Sequence, residues 1–189
     1  MAAGAGIAAI PRFLERRGWI AALLMCVPAV LPALLPGWYE GHDDLHIPRL
    51  IEYGAALGDG QIPPRWFPDV SGGLGSPHPL YYAPLFYALA LVFEGFGLGL
   101  VGALKASIVV FMLLAAVGMY RYARLFFSPA AALVGAAAYT YAPYHLLDLY
   151  VRKAFSELTV FAVLPFLLEA FHRLRFRGSR WDTIARATI

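Results

Sequence analysis

Two adjacent carboxylates, Asp43 and Asp44, stand in a short stretch that also holds His42, His46 and Arg49. At a membrane surface such a pair can accept a proton from an attacking hydroxyl, or hold a divalent cation such as Mg or Mn through its oxygens. Capping a helix N-terminus is the commoner use of Asp in this position, and on spacing alone it ranks ahead. His42 and His46 are four apart and could ligate a metal if helical. They precede the predicted helix, however, and no third ligand is identifiable, so they read as surface histidines. A second patch joins Asp148, Arg152, Lys153 and Glu157. Arg152 and Lys153 could neutralise a phosphate near the interface; ion pairing with Asp148 and Glu157 is an equal alternative. Gly72-Gly73-Leu74-Gly75 lacks the Lys-Ser/Thr of a phosphate-binding loop and reads as a turn.

The elements that must position these groups are membrane elements. Of 189 residues, 60% are hydrophobic and only 14% charged, which argues against a soluble domain. Basic residues lie in short clusters beside apolar runs, so nucleic acid is excluded as a partner and a lipid bilayer is implied. Cys26 sits inside an apolar run and reads as a small buried hydrophobe. Lys105, inside another, must snorkel outward or face a polar cavity.

The apolar runs predict an all-α, polytopic helix bundle with about four spans: 19–36, 99–120, 129–147 and 154–171. The first covers about 27 Å of helix rise, slightly short of a hydrocarbon core. The fourth contains Pro165, and Glu169 with Arg173 four residues on suits an interfacial end. Residues 79–98 are long enough to cross, but Tyr81, Tyr82, Phe86, Tyr87, Phe93 and Phe96 suit the headgroup level and Pro84 interrupts the run. Laying this segment along the surface puts Arg12, Arg16, Arg17, Arg121, Arg124 and the Arg173–Arg186 cluster inside, as the positive-inside rule prefers. The expected layout is then a cytoplasmic N-terminus over 1–18, an outer loop with juxtamembrane helices over 37–98, and a cytoplasmic tail over 172–189. Within that loop, Pro48 and the spacing of Ile47, Leu50, Ile51 and Leu57 predict a short amphipathic helix lying on the membrane.

The order Gly41-His42-Asp43-Asp44, His46, Arg49, Pro64-Arg65-Trp66, Gly73-Leu74-Gly75-Ser76-Pro77, Tyr81-Tyr82-Ala83-Pro84-Leu85, Ala142-Pro143-Tyr144-His145, Tyr150-Val151-Arg152 and Glu157 resembles a bacterial membrane protein family. That family carries the label "6-pyruvoyl-tetrahydropterin synthase-related" and in turn resembles the GT-C glycosyltransferases, which use polyprenyl-phosphate sugars. The resemblance covers roughly Gly37 to Phe171. It implies that Asp43 and Asp44 are the first acidic pair, with Asp43 the catalytic base, and that Asp148 or Glu157 is a later acid. It also implies donor-phosphate contacts from Arg152, Lys153 and Arg65, supported in the outer loop by His42, His46 and Arg49. GT-C enzymes have more spanning helices than this chain, which implies an N-terminal part of a longer protein.

The leading expectation is therefore a glycosyltransferase in the bacterial cytoplasmic membrane, moving a sugar from a polyprenyl-phosphate carrier to an acceptor at the outer face. The alternatives are a non-enzymatic subunit that binds or transports the lipid carrier through Lys105 and Arg152, and a membrane scaffold. The scaffold gains from the small residues Ala130-Ala131-Ala132 and Gly135-Ala136-Ala137-Ala138, which let helices approach closely.

Overall fold

The computed structural model describes residues 3–176, with side chains from Glu15 onward. Arg177, Arg180 and Arg186 of the expected cytoplasmic tail, and the side chain of Arg12, lie outside the described residues. Among these residues the structure is helical, and its only strand-like pairing is one bridge between Phe67 and Ser76. The helices are α1 (Ala3–Val30), α2 (His46–Gly58), α3 (Val70–Gly73), α4 (Leu85–Phe93), α5 (Gly99–Ala123), α6 (Pro129–Thr140), α7 (Pro143–Leu147) and α8 (Phe155–Phe176). Wider helical turns over Glu94–Leu98 and Asp148–Arg152 lead into α5 and towards α8. Among the described residues, three helical stretches are long and apolar enough to cross a membrane: Glu15–Leu34, Leu85–Ala123 and Phe155–Phe176.

The chain divides into two compact units, one of residues 1–32, 111–146 and 160–189, the other of residues 33–110 and 147–159. In the first, α6 packs on α1 through small side chains: Ala22, Ala132 and Ala136 are buried with Tyr120 and Ala123. Cys26 is buried as expected, its thiol directed at the Met112 carbonyl. Ser128 caps α6 by accepting from the Ala131 amide, and Pro129 occupies its first turn, where a missing N–H costs nothing.

The expected span over 129–147 is not one helix. It ends at Thr140, turns, and restarts at Pro143, because a proline cannot donate back into the preceding turn. The twelve residues of α6 rise only about 18 Å. The carbonyl that Pro143 leaves without its helical donor, Tyr139 O, receives His145 Nδ1–H at 3.2 Å. Pro165 inside α8 frees the Phe161 carbonyl in the same way, and the Tyr139 hydroxyl donates to it at 3.0 Å. Glu169, nearly buried, accepts from Arg173 as the spacing suggested and also from Arg121, both at 3.0 Å.

The 39 residues Leu85–Ala123 would rise about 58 Å as one rod, nearly twice a hydrocarbon core. Positive φ at Gly97 and Gly99 breaks the rod. That leaves α5, 25 residues and about 37 Å, long enough to cross, and α4, nine residues and about 13 Å, too short to cross alone. Lys105 is largely buried, and its ammonium donates to the Leu35 carbonyl.

Candidate functional site

Helix α2 forms where Pro48 and the apolar spacing predict it, but its buried face differs from expectation. His46, Leu50, Tyr53 and Ala56 face inward, whereas Ile51 is exposed. The cause is an aromatic nest contributed by distant segments: the His46 ring lies 4.2 Å from Phe155 and 6.1 Å from Tyr87, centroid to centroid, and Phe86 lies 4.7 Å from Phe155. His46 is thus a fully buried residue rather than a surface one. Its Nε2 is 2.7 Å from the Lys153 carbonyl, which can only accept, so Nε2 carries the proton and Nδ1 accepts from the Tyr87 hydroxyl at 2.8 Å. Burial, opposed by the charge of Asp43, pushes the His46 pKa down to about 4, so the ring is neutral. Both nitrogens are committed, and neither is free for a metal.

The two aspartates do not cap α2, whose first turn has no side-chain hydrogen bond. Asp43 instead accepts from Arg49 at 2.5 Å and from the Tyr82 hydroxyl at 3.4 Å through Oδ2, and from the Leu45 amide through Oδ1. Burial would raise its pKa, but the hydrogen bond and charge of Arg49 outweigh it and hold the carboxyl below its ordinary range. Asp44 is paired with the ammonium of Lys153, whose hydrogen bond likewise lowers its pKa. The adjacent carboxylates therefore point at different cations. Among the described residues no three His, Cys, Asp or Glu side chains converge, and each of these two acids is paired with a cation.

Lys153 has no exposed side-chain surface. Its ammonium lies 4.6 Å over the Trp38 ring and 5.0 Å over Tyr39, two cation–π contacts that help offset desolvation. Its backbone is left-handed (φ 55°, ψ 40°), a conformation that favours glycine and is strained for lysine. The two chain segments are also joined directly, His42 N donating to Val151 O at 2.8 Å and Asp43 N to Arg152 O at 3.2 Å. His42 itself is exposed. Gly41 permits this approach, since a Cβ there would sit 2.5 Å from Lys153 Cδ.

Arg152 is clamped by acids, as the ion-pair alternative anticipated. It donates to Glu157 through two nitrogens at 2.8 and 3.0 Å and to Asp148. Burial of Asp148, reinforced by the Glu157 charge, raises its pKa despite Arg152. The structure gathers Asp148, Arg152 and Glu157 in one cluster and Asp43, Asp44, His46, Arg49 and Lys153 in another joined to it through the backbone at 151–153. Arg65 is exposed beyond both, and its amide donates to the Gln61 side chain.

A cleft of about 360 Å³ opens beside the cluster of Asp43 and Arg49, lined by Pro48, Arg49, Phe67, Ser71, Ser76 and His78. Its far wall is the glycine-rich turn, closed by reciprocal hydrogen bonds of 2.9 Å between Phe67 and Ser76. Ser71, Gly72, Gly73 and Gly75 all have positive φ, and Gly75 leaves room for the Trp66 indole. His78 and Tyr82 are functional candidates that sequence reasoning missed. Tyr82 touches Asp43, while His78 stacks on Tyr82 and Phe67 with a buried Nε2 that has no partner among the described residues. Burial and the Arg49 charge lower the His78 pKa. Read along the chain, His78 ended the outer connection and Tyr82 belonged to an aromatic, interfacial stretch; only the fold stacks the two rings and brings the Tyr82 hydroxyl to Asp43.

No family model, curated protein or solved structure matches this chain.

Proposed function

We propose that this chain is a GT-C-like glycosyltransferase with four spans in the bacterial cytoplasmic membrane, its N-terminus cytoplasmic, α6 and α7 together completing a crossing, and Asp43 with the neighbouring cleft at the outer face. It transfers a sugar from a polyprenyl-phosphate carrier to an acceptor hydroxyl. The observation that carries this reading is the Asp43 carboxylate, partly accessible (19%), oriented by Arg49 and Tyr82 next to a cleft that Arg49, Ser71, Ser76 and His78 help to line. In the transfer, the acceptor oxygen attacks the anomeric carbon and its proton passes to Asp43. The bond from that carbon to the phosphate oxygen breaks, and the phosphate leaves with the electron pair. Arg49, only 12% exposed, keeps Asp43 ionised and presents positive charge at the cleft wall.

Arg152 and Lys153 act in this reading as positioning residues, because both cations are already held by carboxylates. The test is sugar transfer in membranes from a polyprenyl-phosphate donor pool, comparing wild type with Asp43→Asn at matched protein levels. Loss of transfer supports the base; transfer that persists in Asp43→Asn and in Asp44→Asn overturns the reading.

A further inference from the structure

A second cleft, of about 470 Å³, lies within the first unit and is untouched by the proposed transfer. It forms where Glu15–Trp19 of α1, Val117–Arg124 of α5 and Glu169–Arg173 of α8 come together. Four guanidiniums, Arg16, Arg121, Arg124 and Arg173, face two carboxylates, Glu15 and Glu169. Glu169 already draws on Arg121 and Arg173 through one oxygen, and Arg124 donates to the Phe127 carbonyl. Arg16 is exposed and has no ion pair among the described residues. Cationic capacity therefore exceeds the acid present.

The floor of this cleft is built. At Arg17 the helix departs from α geometry (φ −137°, ψ 26°), and at Gly18 the Tyr120 hydroxyl approaches so closely that a Cβ would sit 1.9 Å from it. One wall is apolar, formed by Val117 and by Trp19, which is 47% exposed. Tryptophan prefers the headgroup level of a bilayer, where an amphipathic ring has apolar and wet surroundings at once. Excess guanidinium charge beside such a wall, at the ends of apolar helices, matches a ligand with a phosphate head and an acyl body.

We propose that the cleft framed by Arg16, Arg121, Arg173, Gly18, Tyr120 and Trp19 binds the phosphodiester headgroup of an anionic phospholipid. Arg16 and Arg173 hold the phosphate oxygens, and Trp19 with Val117 packs against the glycerol and the first acyl carbons. Phosphatidylcholine, whose phosphate carries its own cation, binds more weakly.

Native mass spectrometry of the full chain in a mild neutral detergent, titrated in parallel with phosphatidylglycerol, phosphatidylcholine and inorganic phosphate, tests this. Phosphatidylglycerol adducts should form preferentially, weaken about fivefold in Arg16→Gln, and weaken further in Arg16→Gln/Arg173→Gln. Both variants leave Arg121 on Glu169, so an unchanged thermal midpoint separates lost binding from lost folding. Equal uptake of the two lipids, or adducts insensitive to both variants, would overturn the proposal. Displacement of bound phosphatidylglycerol by inorganic phosphate at millimolar concentration would assign the cleft to a soluble phosphate instead and overturn the lipid assignment.

Discussion

Acidification should remove a stabilisation that resides in one buried ring. His46 is fully buried, and its hydrogen bonds to Tyr87 and Lys153 use the neutral imidazole. Its pKa lies at about 4 in the folded protein, driven down by burial against the pull of Asp43, compared with 6.5 for an ordinary histidine. Between those values the unfolded chain binds a proton that the folded chain refuses. The stabilisation is therefore complete above about pH 6.5, declines as the pH falls, and is gone below about pH 4. At about 1.4 kcal/mol per pH unit, the interval is worth about 3 kcal/mol, or about 6–12 °C in the unfolding midpoint of a chain this long. Asp43, Arg49 and Lys153 surround the ring, and carboxylates elsewhere titrate in the same range, so the quantity to read is the difference between wild type and His46→Gln. Trp38, whose ring lies 6.4 Å from His46, gives a local fluorescence signal for detergent-solubilised protein. The wild-type midpoint should fall more steeply than that of His46→Gln between pH 6.5 and 4. Parallel curves, or an NMR titration of the His46 ring centred near 6.5, would show that burial does not hold this ring neutral.

Two other perturbations address the joint between residues 41–44 and 151–153. Gly41→Ala drives a Cβ into Lys153 Cδ and to 3.1 Å from the Val151 carbonyl, and a lysine tethered to Asp44 cannot swing aside. A loss of about 1–3 kcal/mol is expected by thermal unfolding, with faster hydrogen exchange at the His42 amide. Arg152→Gln leaves Asp148 buried beside Glu157 without its counter-charge. The Asp148 pKa, already raised by burial and Glu157, then rises further, so stability should fall as pH increases through that value. Asp148→Asn in the same background should restore most of it.

Much of the helical layout was legible because it is local. The α2 helix follows from Pro48 and apolar spacing, the onset of α5 from the run beginning at Gly99, and the Glu169–Arg173 pair from a separation of four. The Arg152 clamp was within reach for the same reason, its acids lying four and five residues away. The interior of the site was not. His46 meets the Lys153 carbonyl across 107 residues and Tyr87 across 41, and Asp44 meets Lys153 across 109. No periodicity encodes such contacts, so a histidine beside two aspartates looks exposed until distant aromatic rings are brought over it. The same limit applies to Lys105, whose acceptor is a backbone carbonyl with no side-chain signature at all.

The hydrogen bond from Tyr139 to the Phe161 carbonyl bears on how the protein is assembled. A helix carrying Pro165, long and apolar enough to cross a membrane, has one peptide oxygen that its own backbone cannot satisfy, and hydrocarbon would offer no substitute. The α8 helix is therefore not self-sufficient; its missing donor is held by α6, which leaves the ribosome first. A neighbour with phenylalanine at that position would fit the same space and leave the oxygen bare. Chain order and helix pairing thus agree: the earlier helix carries the donor that the later, proline-containing one lacks.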